Sequence, residues 1–137
     1  MSNSVLNTNH LKSNQRILLV DDNDEVRNHN ARALADSGYH IDTAENAVIA
    51  WKALKSNHYD LLITDNTMPG VTGLELIRQL RSEDISLPII LASGTAPAEE
   101  LNRSPWLEVS ALLTKPYTSS ELLITVEYVL RMTESGQ

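Results

Sequence analysis

The stretch "LLVDDND", Leu18–Asp24, decides how the rest of the chain is read. An apolar run that starts at Ile17 stops abruptly after Val20 in two adjacent carboxylates, Asp21 and Asp22. An unbroken run of Ile, Leu and Val is typical of a strand covered on both faces. Side-by-side acids repel, and burying either without a partner is costly. Such a pair at the mouth of a core strand asks for positive charge nearby.

Reading outward, short apolar runs alternate with longer amphipathic stretches. Asn23 or Asp24 caps a helix to about Ser37, with Val26, Ala33 and Leu34 at helical spacing, and Gly38 stops it. "YHIDTA" reads as an edge-like strand, followed by a helix from Asn46 to Ser56 carrying Ala50, Trp51 and Leu54 on one face. Leu61–Thr64 is a third strand. "NTMPG" is a loop, since Pro69-Gly70 is strong turn chemistry. Thr72 and Glu75 form a capping box for a helix carrying Leu74, Ile77 and Leu80. Leu87–Ala92 is a fourth strand, and a short helix then ends at Pro105. Ala111–Thr114 is a fifth strand. The last helix opens with a second capping box, Thr118 to Glu121, and is predicted to bury Leu123, Val126 and Leu130.

Five β–α repeats imply an α/β fold: a parallel sheet with helices on both faces. Right-handed crossovers make it doubly wound, with the flavodoxin-like strand order 2-1-3-4-5. With 137 residues the chain has room for one core. The expected organisation is a tail over residues 1–14, a domain over 15–132 and a short tail over 133–137.

Composition narrows the function. The net charge of −7 disfavours nucleic acid as a direct partner. Without cysteine there is no disulfide, thiolate catalysis or Cys-based zinc site. No run approaches the ~20 apolar residues of a membrane span, and the N-terminus lacks the apolar core of a signal peptide. The expected location is cytoplasmic. His10, His29, His40 and His58 show no metal-site spacing and read as surface residues.

In doubly wound sheets function sits beyond the carboxyl ends of the strands. Strand one delivers Asp21 and Asp22 to that edge, strand three Asp65, strand four Ser93 and strand five Lys115. Three carboxylates in one place suit a hard divalent cation, and Mg2+ takes oxygen ligands. Asp65 is the central acid and the candidate nucleophile, because carboxylates form aspartyl-phosphate intermediates. Lys115 would neutralise phosphoryl oxygens and Ser93 would hydrogen-bond to one, which is most of what phosphoryl transfer requires.

"LLVDDND", "DLLITDNTMPGVTGLE", "PIILASG" and "LLTKPY", in this order and spacing, resemble the receiver domain of two-component response regulators. The resemblance covers about residues 15–132. It implies that Asp65 takes phosphate from the phosphohistidine of a sensor histidine kinase or phosphotransfer protein. It implies Asp22 as a direct Mg2+ ligand, Asp21 as an acid acting largely through water, and Thr67 as a backbone carbonyl ligand. It also implies a cis Lys115–Pro116 bond. The domain would catalyse its own phosphorylation and dephosphorylation without turning over a metabolite. Its output would run through a downstream protein of unknown identity, with the domain a monomer or weak homodimer.

Two features depart from the family. The position three before the lysine, often Tyr or Phe, is Leu112. The segment between Gly94 and Val109 is helix-poor, with Pro97 and Pro105. Both suit a receiver of hybrid-kinase type, whereas the initial Met suits a stand-alone protein. Three other functions compete. An aspartate-nucleophile phosphatase should show "DxDx[TV]" after the first strand, with a general acid two residues beyond the nucleophile; two beyond Asp65 stands Thr67, and Asp24, two beyond Asp22, is outside the expected context. A flavin or nucleotide carrier should have a Gly- or Ser-rich loop where the acids stand. A degenerate receiver acting only as a protein-binding module is opposed by the complete set of acids, Ser93 and Lys115.

Overall fold

The structure is a computed structural model, and it describes residues 14–95 and 98–135. His10 and nearly all of the expected N-terminal tail lie outside the described residues. Five strands alternate with helices: β1 (Arg16–Val20), α1 (Asp24–Asp36), β2 (His40–Ala44), α2 (Ala47–Ser56), β3 (Leu61–Asp65), α3 (Gly73–Ser82), β4 (Ile89–Ser93), α4 (Ala98–Arg103), a 3-10 turn (Pro105–Leu107), β5 (Ala111–Thr114) and α5 (Ser119–Ser135). The sheet is parallel throughout, in the order β2-β1-β3-β4-β5. The fold is the one expected. Element ends move by one or two residues where caps define them, and α5 runs on past residue 132.

The continuous apolar runs work because alternate side chains serve opposite faces. On one face Leu18, Val20, Leu62, Ile89 and Leu91 pack with Ala50, Leu54, Leu74, Ile77 and Leu80 of α2 and α3. On the other, Ile17, Leu19, Ile63, Ile90 and Leu113 pack with Leu34 of α1 and Leu122, Val126, Val129 and Leu130 of α5. Each fully buried side chain of this kind contributes about 1.5–3 kcal/mol of burial free energy. In α5 it is Leu122, not Leu123, that is fully buried; Leu123 packs at the margin. Trp51 is likewise half-buried against the first cluster.

Caps fix where the helices begin. Asn23 Oδ1 accepts from Val26 N at 3.0 Å, with Asp24 and Glu25 in the first turn of α1, where the helix dipole favours acids. Both predicted capping boxes are present: Thr72 with Glu75, and Thr118 with Glu121.

The α4 region is thin. The helix has six residues, and the following turn is held by Arg81, whose guanidinium donates to the carbonyls of Leu107, Ile85 and Glu108. Leu107 is thereby sunk in the core, while Trp106 is 52% exposed. With so short a helix above it, Leu112 on edge strand β5 is 43% exposed.

Gly73 sets the start of α3 against the end of β3. A Cβ there would lie 2.9 Å from the Asn66 Cα and closer still to the Asp65 carbonyl oxygen, both rigid backbone. Gly73→Ala is expected to destabilise the domain by about 1–3 kcal/mol, the usual cost of overpacking. Urea denaturation measures it; an unchanged midpoint would show that the β3–α3 loop yields freely.

Candidate functional site

The site follows from strand register. Val20 stands beside Thr64, so the next residues, Asp21 and Asp65, emerge side by side at the carboxyl edge. Neighbouring strands lie about 4.8 Å apart, which places the two carboxylates within mutual reach. Asp22 follows directly. One oxygen from each of Asp21, Asp22 and Asp65 falls within 4.8 Å of the others. Asp21 and Asp65 are 3% and 4% exposed, whereas Asp22 faces solvent.

Asp21 is held on three sides. Its amide donates to the Ala44 carbonyl at 3.1 Å, its Oδ1 accepts from Asn23 N at 2.9 Å, and its carbonyl accepts from Arg27 at 2.8 Å. Burial pushes the Asp21 carboxyl above the usual range; the Asn23 amide opposes this, and the neighbouring Asp65 adds to it.

Lys115 Nζ lies 2.6 Å from Asp65 Oδ1. At that distance the ammonium and the enclosed carboxylate oxygen form a close ion pair. Lys115 has a flexible stem and is one-third exposed, so its ammonium can turn away and leave Oδ1 to another ligand. Three acids against one ammonium leave the pocket electron-rich, and hard oxygen donors are what a Mg2+-sized ion prefers. The donor set therefore fits a divalent cation.

The Asp65 end of β3 is locked by its loop. Asn66 N donates to Ala92 O at 2.8 Å, while Asn66 accepts from Gly73 N through its carbonyl and from Leu74 N through Oδ1. Gly70, at φ 81°, makes the turn that returns the chain to α3. Lys115 is tied to β4, its amide donating to Ser93 O at 2.9 Å, and the Lys115–Pro116 bond is cis.

Asp21, Asp22, Asp65, Thr67 and Lys115 all line one open cleft of about 800 Å³. Ser93 stands at the same edge but does not line it. Its hydroxyl is engaged in its own turn, donating to Thr95 O and accepting from Thr95 N. The cleft also has a wall that the sequence did not reveal: Val26, His29 and Asn30 of α1 with Pro116 and Tyr117. His29 is exposed, as expected of a surface residue, and its Nε2 lies 2.9 Å from Ser119 Oγ. Asn30 Nδ2 donates to the Tyr117 hydroxyl at 3.0 Å. Burial, then the nearby Asp21 charge, raises the Tyr117 hydroxyl above its ordinary value. The i, i+1 placement of His29 and Asn30 in α1 carries no pattern that marks them beforehand.

A parallel α/β domain with an acid cluster facing a lysine at its carboxyl edge defines a narrow class. The family description "Response regulator receiver domain" matches residues 17–127, and the chain belongs to that family of two-component signalling domains. It is 37% identical over 122 residues to the phosphate regulon transcriptional regulatory protein PhoB of Pseudomonas aeruginosa, covering 88% of this chain and 53% of that protein. The chain thus spans about half the length of the curated relatives it matches. Among solved structures it resembles the response regulator TrrA of Thermotoga maritima in complex with Mg(2+)-BeF, with 35% identity, a TM-score of 0.73, and coverage of 84% of this chain and 98% of that one. It also resembles the chemotaxis response regulator CheY4 of Vibrio cholerae, with 27% identity, a TM-score of 0.76, and the same two coverages. No helix among the described residues is long and apolar enough to cross a membrane.

The raised Asp21 carboxyl makes a stability prediction. A folded-state pKa above the unfolded one means that ionised Asp21 destabilises the fold at neutral pH, and the penalty is lost as pH falls through the folded value. In metal-free buffer at pH 7, Asp21→Asn should therefore raise Tm by a few degrees, and the gain should shrink on acidification. Thermal melts with a chelator check both; a lower Tm for the variant at pH 7 contradicts the reading.

Proposed function

We propose that this receiver domain accepts a phosphoryl group on Asp65 from the phosphohistidine of a histidine kinase or phosphotransfer protein, with Mg2+ as cofactor. The observation that carries the reading is the buried Asp65 carboxylate, set beside two further acids and paired with the Lys115 ammonium. A carboxylate oxygen can attack phosphorus, and the ammonium paired with it already stands where the incoming phosphoryl charge would arrive.

In the transfer, an Asp65 oxygen attacks phosphorus. The P–O bond forms as the P–N bond to the donor imidazole breaks, and the departing nitrogen keeps that electron pair and gains a proton from water. Lys115 turns from the Asp65 carboxylate to the phosphoryl oxygens and offsets their charge. Asp21, Asp22, Asp65 and the Thr67 carbonyl would hold Mg2+. Bound there, the ion supplies positive charge that relieves the repulsion among the acids and neutralises the phosphoryl group. Hydrolysis of the acyl phosphate returns the domain to its starting state.

The Ser93 hydroxyl provides the link to output. To reach a phosphoryl oxygen it must release Thr95, which alters the turn leading to α4. Phosphorylation would then bias two arrangements of that surface, and a downstream protein in the cytoplasm would bind one of them better. Leu112, in place of an aromatic ring, repacks without a polar tip to move.

Incubation with Mg2+ and a small acyl phosphate, followed by intact-mass measurement, tests the assignment. Wild type should gain one phosphoryl group, Asp65→Asn none, and a chelator should abolish the gain. Lys115→Ala should slow the reaction by about 10²-fold, the usual cost of removing one charge-stabilising group. Equal phosphorylation of Asp65→Asn would place the acceptor elsewhere.

A further inference from the structure

Five polar or charged residues are buried among the described residues: Asp21, Asn30, Thr64, Asp65 and Ser93. Four of them stand at the carboxyl edge of the sheet. Asn30 alone sits on a helix, 4% exposed on the inner side of α1. A buried amide is costly beside an apolar side chain of the same size unless it is hydrogen-bonded. Its bond goes to a residue 87 positions away, the Tyr117 hydroxyl, at 3.0 Å.

Tyr117 lies two residues after Lys115, across the cis bond to Pro116. The segment from 115 to 119 is pinned at three points. Lys115 N is bound to Ser93 O on β4, Tyr117 to Asn30, and the Ser119 hydroxyl lies 2.9 Å from His29. The last two ties both run to adjacent residues of α1. Lysine has a long, flexible stem, and its side chain here is one-third exposed, so burial alone does not place the ammonium. What fixes the root of that stem is the backbone of this segment.

We infer that Asn30 and Tyr117 are a positioning pair: through the Lys115–Pro116–Tyr117 segment they hold the Lys115 ammonium on Asp65, and so set the rate of phosphoryl transfer. The pair touches neither phosphate nor metal in this role. The rate part of the inference rests on Asp65 being the acceptor; the placement of Lys115 does not.

Hydrogen-bond energetics separate a positioning role from a merely structural one. Removing one partner strands a buried polar group, whereas replacing both with apolar groups is nearly neutral for stability. Tyr117→Phe keeps the ring and removes only the hydroxyl. It should lower Tm and slow acyl phosphate-driven phosphorylation by about tenfold. The double variant Asn30→Leu/Tyr117→Phe should recover most of the lost Tm while its rate stays about tenfold low, since the hydrogen bond that fixes Tyr117 is still absent and the His29–Ser119 contact lies two residues further from Lys115. If rate returns together with Tm, or if Tyr117→Phe reacts at the wild-type rate, the pair is only structural.

A second readout needs no phosphorylation. The chain has four lysines, so the Lys115 13Cε resonance can be assigned by its loss in Lys115→Arg. In metal-free wild type it should stand apart from the other three. In the double variant and in Asp65→Asn it should move toward them. A resonance unmoved in the double variant overturns the inference. Failure of wild type to take up phosphate, with that resonance still shifting, would overturn the acceptor assignment and leave the placement of Lys115 by this pair supported.

Discussion

The parallel register that sets Asp21 abreast of Asp65 is the constraint on which the rest of the molecule depends. Two carboxylates brought together at a buried sheet edge repel, and neither is solvated well enough to be indifferent. The arrangement persists because the apolar runs behind it leave no alternative. Shifting β1 by one residue would turn Leu18 and Val20 toward the face now occupied by Ile17 and Leu19, exchanging two complete core layers. Core packing on both faces thus enforces an electrostatically unfavourable edge.

Around that edge the chain is tied more firmly than its connections require. Asn66 binds both β4 and the start of α3, Gly73 lets α3 approach the Asp65 carbonyl, and Lys115 is anchored on β4. Asn30 and His29 reach from α1 to the segment that carries Lys115. These bonds hold a high-energy cluster in place, as is common where function and stability compete. The Ser93 hydroxyl, by contrast, bonds only to Thr95 in its own turn, so its rearrangement breaks no tie between distant segments.

The opposite side of the β4–β5 edge is built differently. A six-residue α4, an exposed Trp106 and an exposed Leu112 leave it lightly covered, and its order comes from Arg81 clasping three carbonyls rather than from a packed helix. Burial lowers the Arg81 pKa, opposed by Glu108, which marks this guanidinium as a structural group working inside the fold. Within it Leu107 is the buried anchor, while Trp106 and Leu112 are free of apolar cover and can shift with little loss of burial.

Most of the architecture was legible in the chain itself. Continuous apolar runs, capping boxes and Pro-Gly chemistry determined five strands, their helices and their order, because these signals are local and the crossover rule has one hand. The acids and Lys115 were legible for the same reason: each directly follows a strand, and parallel strands end at one edge. What only the tertiary structure decided was orientation and long-range pairing. Ser93 reaches the edge but turns its hydroxyl into its own loop, Leu122 rather than Leu123 faces the core, and His29 and Asn30 meet residues far along the chain. The physical reason is that periodicity and turn chemistry specify where a residue stands, whereas a hydrogen bond between distant segments exists only once packing has brought both partners within about 3 Å.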